Sequence, residues 1–167
     1  MVAQTTVRWP RLLGLIGLCA GAGALGAVFT NQGVTEWYPT LKKPSFTPPS
    51  SVFGPVWTTL YLLMGIAAYL VAQEADTHPR YQEIAQRART LFALQLGLNV
   101  GWSFLFFTLR LPFVALVELI ALWIAIALTI QTFARISRVA ALLLVPYLLW
   151  TTFAAALNGT IWWLNRE

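Results

Sequence analysis

The chain has 167 residues, of which 58% are hydrophobic and only 10% charged, with a mean hydropathy of +0.67. Ordinary soluble domains carry about 25% charged residues, so the composition excludes a typical water-soluble globule. The net charge of +5 does not point to nucleic acid, because the basic residues stand at the ends of apolar runs.

Five such runs follow one another, at about 12–30, 53–72, 91–109, 112–133 and 139–163. A helix needs about 20 residues to cross the hydrocarbon core, and each run is near that length. Strands of a membrane barrel would alternate over ~10-residue segments, and these runs do not. The expectation is an all-α integral membrane protein, a single five-helix domain over 1–167 with no soluble domain.

The first run is preceded by Arg8 and Arg11 and contains the small residues Gly21 to Ala24. That pattern resembles a cleavable signal peptide, but the apolar stretch continues to Phe29, and its removal would leave four helices. It is read as a retained span.

Residues 31–52 form the long connection to the second run, and 37–65 read WYPTLKKPSFTPPSSVFGPVWTTLYLLMG. Five of the nine prolines fall in that stretch. Proline fixes φ and removes a backbone donor, so the loop is stiff, and its aromatics give it something to close over. It reads as a lid. On the second span Trp57, Tyr61, Met64 and Ala68 share one face.

The 73–90 connection has mixed charge and is expected to be a short surface helix or an extension of the third span. At 100° per residue, Gln95, Asn99, Trp102 and Phe106 share one face of that span, with Gly97, Gly101, Phe104 and Thr108 nearly opposite. Gly97-x-x-x-Gly101 has the spacing that lets membrane helices approach closely. It serves either a homodimer or packing inside the bundle. The amides of Gln95 and Asn99 need partners in hydrocarbon: either a ligand or other helices, for example the Leu142 carbonyl freed by Pro146 for Asn99. Asn158 on the fifth span is read as a link to another helix.

Tight breaks at Arg110–Pro112 and Arg135–Arg138 make the third to fifth helices antiparallel neighbours. Glu118 is the lone carboxylate within a span, open to a functional role, to a protonated state, or to pairing with Arg110. On the fifth span Tyr147, Trp150, Ala154, Leu157 and Ile161 share a face. Trp102 and Trp150 lie about 16 Å into their spans at ~1.5 Å per residue. Indoles prefer the membrane interface, so two at mid-depth imply a protein cavity suited to a flat, largely apolar ligand.

The N-terminal side of the membrane collects Arg8, Arg11, Arg80, Arg87, Arg89, Arg135 and Arg138, against Lys42, Lys43, Arg110 and Arg166 opposite. The positive-inside rule therefore places the N-terminus in the cytoplasm and the lid outside. Cys19 and His78 are single, so neither a disulfide nor a metal site is expected. Familiar constellations of hydrolases and oxidoreductases are absent.

The lid stretch, with ALQLGLNVGWSFLFF at 93–107 and VPYLLWTTFAAALNGTIWWLN at 145–165, resembles the translocator protein family, also called tryptophan-rich sensory proteins or peripheral-type benzodiazepine receptors. The resemblance covers about residues 12–165 and suits a bacterial-type member. It implies five membrane helices, a homodimer, and a pocket under the first loop for protoporphyrin IX and related tetrapyrroles. By motif, that pocket takes Tyr38 and Pro48 from the lid, Trp57 and Tyr61 from the second helix, Asn99 and Trp102 from the third, and Trp150 and Ala154 from the fifth.

The cholesterol motif of animal members is not intact, since the chain reads GTIWWLNR after Asn158; Val34, Tyr38 and Lys42 match that loose pattern elsewhere. The expected function is a receptor or sensor in a bacterial cell membrane that binds porphyrins and regulates tetrapyrrole homeostasis or a stress response, with no cofactor required. Two alternatives stay open: light-dependent porphyrin breakdown involving Trp102 or Trp150, and transport of tetrapyrroles or sterols. Transport is disfavoured by the lack of an inverted repeat.

Overall fold

A computed structural model describes residues 7–166. It contains five long helices: α1 (Trp9–Val34), α2 (Ser50–Thr77), α3 (Gln82–Ser103), α4 (Pro112–Ala134) and α5 (Arg138–Leu164). Among the described residues there is no strand. Each is long and apolar enough to cross a membrane, the third together with its flanking turns over Pro79–Thr108, and the protein is an all-α membrane bundle.

The sequence explains most boundaries. Proline stands in the first turn of α1 and of α4, where a missing N–H leaves no helical bond unmade. The Ser137 hydroxyl accepts a hydrogen bond from the Ala140 N–H and so caps α5. Between α3 and α4 the chain reverses through Arg110, whose φ of 57° is left-handed. The mixed-charge connection resolves into a single turn, Pro79–Tyr81, after which α3 starts at Gln82. Of the two forms expected there, the structure has the extended third helix.

The helices close into a ring in the order α1, α2, α5, α4, α3, with α2 and α3 also touching across the middle. The core holds Met64, Phe92, Leu119, Leu122, Phe133, Leu144 and Tyr147. Without water in hydrocarbon, helix association rests on close packing and interhelical hydrogen bonds. At one end of α1 and α2 the Arg8 and Arg11 guanidiniums both pair with Asp76.

Glycine brings the backbones together at two points. A Cβ on Gly65 of α2 would stand 2.7 Å from the Ile16 Cα of α1. One on Gly33, near the end of α1, would collide with the Phe107 carbonyl. That carbonyl belongs to a wide π-turn, Phe104–Thr108, which continues α3 and is closed by a bond from the Leu109 N–H to the Phe104 carbonyl at 3.0 Å. Turns of this kind re-aim side chains and recur at functional sites. Here the turn sends Phe106 and Phe107 into a second apolar cluster with Leu157, Ile161 and the lid residues Trp37, Tyr38 and Leu41.

Candidate functional site

The lid begins with a single helical turn at Tyr38–Thr40. Lys43 folds back beneath it and donates to the carbonyls of Tyr38 (2.8 Å), Pro39 (3.3 Å) and Leu41 (3.2 Å). Its ammonium also lies 4.9 Å from the centroid of the Tyr38 ring. All three N–H donors are thus used to brace the loop, while the charge remains at the site. Trp37 and Tyr38 press on Phe106, with ring centroids 5.5 Å and 6.3 Å apart. Burial pushes the Tyr38 phenol above its ordinary range, which keeps it neutral.

Beneath the lid lies a cavity of about 1000 Å³, at the upper end of the ~300–1,000 Å³ common for small-molecule pockets. Tyr38, Pro48, Trp57, Tyr61, Trp102, Trp150 and Ala154 all line it. Trp57 stacks on Tyr61 at 5.5 Å and 26°, and Trp102 on Phe106 at 5.3 Å and 24°. Trp150 meets Phe53 at 5.8 Å and Phe153 at 5.5 Å. The walls are therefore aromatic planes from three helices. Polar atoms are few and include the Thr30, Thr47 and Ser103 hydroxyls, the Asn158 amide and the Lys43 ammonium.

Asn99 is placed otherwise than its grouping with the pocket residues suggests. It is not among the lining residues. Its Oδ1 accepts from the Tyr61 hydroxyl at 2.5 Å, and its Nδ2 donates to the Tyr147 hydroxyl at 2.9 Å. The amide joins α2, α3 and α5, and the carbonyl near Pro146 is not its partner. Two phenols on neighbouring helices satisfy it better than one backbone oxygen could. Its contribution to the cavity is indirect, through the position of the Tyr61 ring.

Asn158 has the stronger direct claim. Its Oδ1 accepts from the Trp102 indole N–H at 3.1 Å, and its Nδ2 donates to the Pro112 carbonyl at 2.8 Å. It fixes the plane of Trp102 while lining the cavity. The sequence reading set it down only as a link between helices.

The whole contribution of α1 went unread. Gly23, Gly26, Ala27, Thr30 and Asn31 line one wall, and the Tyr61 ring fills the space where a Gly23 Cβ would stand. The available signals were the Gly and Ala residues at 20–27, interrupted by Leu25, and the polar pair Thr30 and Asn31 beyond them.

Gly97 and Gly101 do not form one open seam. A Cβ at Gly97 meets nothing within 4 Å, whereas one at Gly101 would be 3.7 Å from Glu118 Oε1. Gly97 borders a separate hollow of about 820 Å³ walled mainly by α1 and α3, nearly all hydrocarbon apart from Arg11 and Arg89. That hollow lacks the stacked rings and hydroxyls of the lid cavity. Glu118 does not pair with Arg110: both carboxylate oxygens are buried without a hydrogen-bond partner among the described residues.

Residues 15–164 match the model of the TspO/MBR family. The chain belongs to that family. It is 47% identical over 150 residues to the tryptophan-rich protein TspO of Chlorobaculum tepidum, covering 90% of this chain and 92% of that protein. Similarity extends to the protein CrtK of Rhodobacter capsulatus, at 37% over 147 residues and 88% of each chain. It reaches the human translocator protein, at 40% over 138 residues, 83% of this chain and 80% of that one. The TspO/MBR match runs from α1 to α5 and includes every residue that lines the lid cavity.

Proposed function

We propose that this membrane protein is a receptor or sensor whose lid cavity binds flat, largely apolar tetrapyrroles such as protoporphyrin IX, and that occupancy reports on tetrapyrrole supply or stress. The observation that carries this reading is the set of indoles from α2, α3 and α5 facing one cavity under a braced loop. Aromatic faces attract a planar π-system by offset stacking and apolar burial together. The few polar groups would orient its edge, and the Lys43 charge at the rim would favour acidic side arms on the ring.

The proposed setting is a bacterial cell membrane, with the N-terminus in the cytoplasm and the lid outside, on the distribution of arginines between the two ends. A homodimer would meet through the open Gly97 side of α3. Gly97→Leu would then reduce dimer size in detergent, while Gly101→Leu would act within the bundle, against Glu118.

The binding reading is tested by titrating the purified protein with protoporphyrin IX and following tryptophan fluorescence. Trp150 lines the cavity, whereas Trp123 lies on the outside of α4 and is 37% exposed. Trp150→Ala is expected to remove most of the quenching and weaken binding, with Trp123→Ala close to the unmodified protein. Equal losses from both substitutions would overturn the assigned pocket.

A further inference from the structure

The lid covers the cavity, and the exposed part of its lining lies mainly on two helices. Apart from Pro39, every exposed residue of the lining belongs to α1 or α2, among them Ala24, Ala27 and Asn31 on one helix and Gly54 and Thr58 on the other. The lining from α3 and α5 is buried or half-buried throughout. On α1 the exposed positions follow one another at three and four residues, and on α2 at four. Each set is therefore a stripe along one helix face.

The same two helices are tightly shut toward their other ends. Gly65 lies against the Ile16 backbone, and the Tyr61 ring sits directly on Gly23. Toward the lid, a Cβ on Gly54 would meet nothing within 4 Å. The pair is in close contact at one end, and toward the lid the cavity lining that it exposes consists of Ala, Asn, Ser, Gly and Thr residues. The Thr58 hydroxyl is already satisfied by the Gly54 carbonyl at 2.9 Å, which leaves the Asn31 amide as the polar group of the edge.

The lid, by contrast, is held down. Lys43 braces it internally, and the Asn165 side chain grips the Lys42 backbone through two hydrogen bonds of 2.9 Å. Raising it from above would break those bonds and lift Trp37 and Tyr38 off Phe106.

We propose that the cavity exchanges its ligand sideways with the bilayer, through the parting of α1 and α2, so that its ligands are molecules already dissolved in the membrane. This rests on the reading of the lid cavity as a binding site for flat apolar molecules. Such molecules concentrate in hydrocarbon, at about 25 cal/mol per Å² of apolar surface removed from water. A lateral opening meets them there, and the lid can stay shut.

The test uses the full chain in lipid nanodiscs, protoporphyrin IX as the probe, and stopped-flow tryptophan quenching. Gly54→Cys is made, and a bulky reversible thiol reagent is then attached; the native Cys19 is buried. The adduct is expected to slow association and dissociation by about tenfold or more, relative to Gly54→Cys before the reagent is attached. Reductant is expected to restore both rates, which separates obstruction from misfolding. Ala27→Phe should slow exchange in the same way, while Asn165→Ala should leave the rates unchanged. Unchanged rates with the adduct, together with faster exchange in Asn165→Ala, would assign the route to the lid and overturn the lateral opening alone. No quenching in the unmodified protein would remove the binding reading and the route with it.

Discussion

The side-chain amide of Asn165 holds Lys42 by both of its backbone groups. Its Oδ1 accepts from the Lys42 N–H and its Nδ2 donates to the Lys42 carbonyl, each at 2.9 Å. The same Nδ2 donates to the Ile161 carbonyl at 2.7 Å, so the end of α5 and the middle of the lid share one joint. Asn165→Ala removes two lid bonds, each worth about 0.5–1.5 kcal/mol net. Amide hydrogen exchange at 41–47 is expected to accelerate, with the helix cores unchanged. Unaltered exchange there would mean that Lys43 and the aromatic contacts suffice to hold the loop.

Asn99 is expected to matter more for stability than for binding. Asn99→Leu strands the Tyr61 and Tyr147 hydroxyls inside the bundle, and an unsatisfied buried polar group costs about 1–3 kcal/mol. Thermal unfolding in detergent should fall clearly. Tyr61→Phe breaks the same chain from its other end, so the double variant should lose less than the sum of the two single losses. Additive losses would show that the three groups do not act as one network.

The glycines divide by what stands next to them. Gly65→Ala and Gly33→Ala each drive a methyl into a neighbouring backbone, which cannot move aside as a side chain can. Overpacking of this kind costs about 1–3 kcal/mol. Gly97→Ala meets open space and should leave the unfolding temperature unchanged or slightly raised, since alanine favours helix. A large loss from Gly97→Ala, matching the other two, would place a tightly fitted neighbour at that position.

The most conspicuous ion pairs should contribute little. Arg8 and Arg11 converge on Asp76 at an exposed helix end, and pairs in that setting are worth less than about 1 kcal/mol and weaken with salt. Asp76→Asn is expected to shift unfolding only slightly at low salt and not measurably in concentrated salt. A substantial salt-independent loss would mean that the carboxylate does more than pair with the two guanidiniums.

These relationships were legible in the sequence to different degrees. The spans were plain because length and hydropathy decide them, with little else at work in hydrocarbon. Trp57, Tyr61, Trp102 and Trp150 could be gathered from separate helices because each face follows from a period of 3.6 residues and each ring is large enough to matter wherever it points. The wall from α1 could not be read, since Gly26 and Ala27 carry no chemical mark and only the packing shows what they face. Asn99 was recognised as needing partners, but the partners are phenols on two other helices, and one chain's periodicity does not register helices against each other. The Asn165 joint spans 123 positions, beyond any local pattern.

The π-turn at Phe104–Thr108 carries a consequence for how this region can vary. One surplus residue is accommodated there without breaking the helix, and it sets the heading of Phe106 and Phe107. Deleting Phe104 or Leu105 would restore regular winding and swing both rings by roughly a quarter of a revolution, at about 100° per residue. The spans would still insert and the fold would survive, yet the floor beneath the lid would be gone. Loss of a single codon here would separate the architecture from the recognition surface it supports.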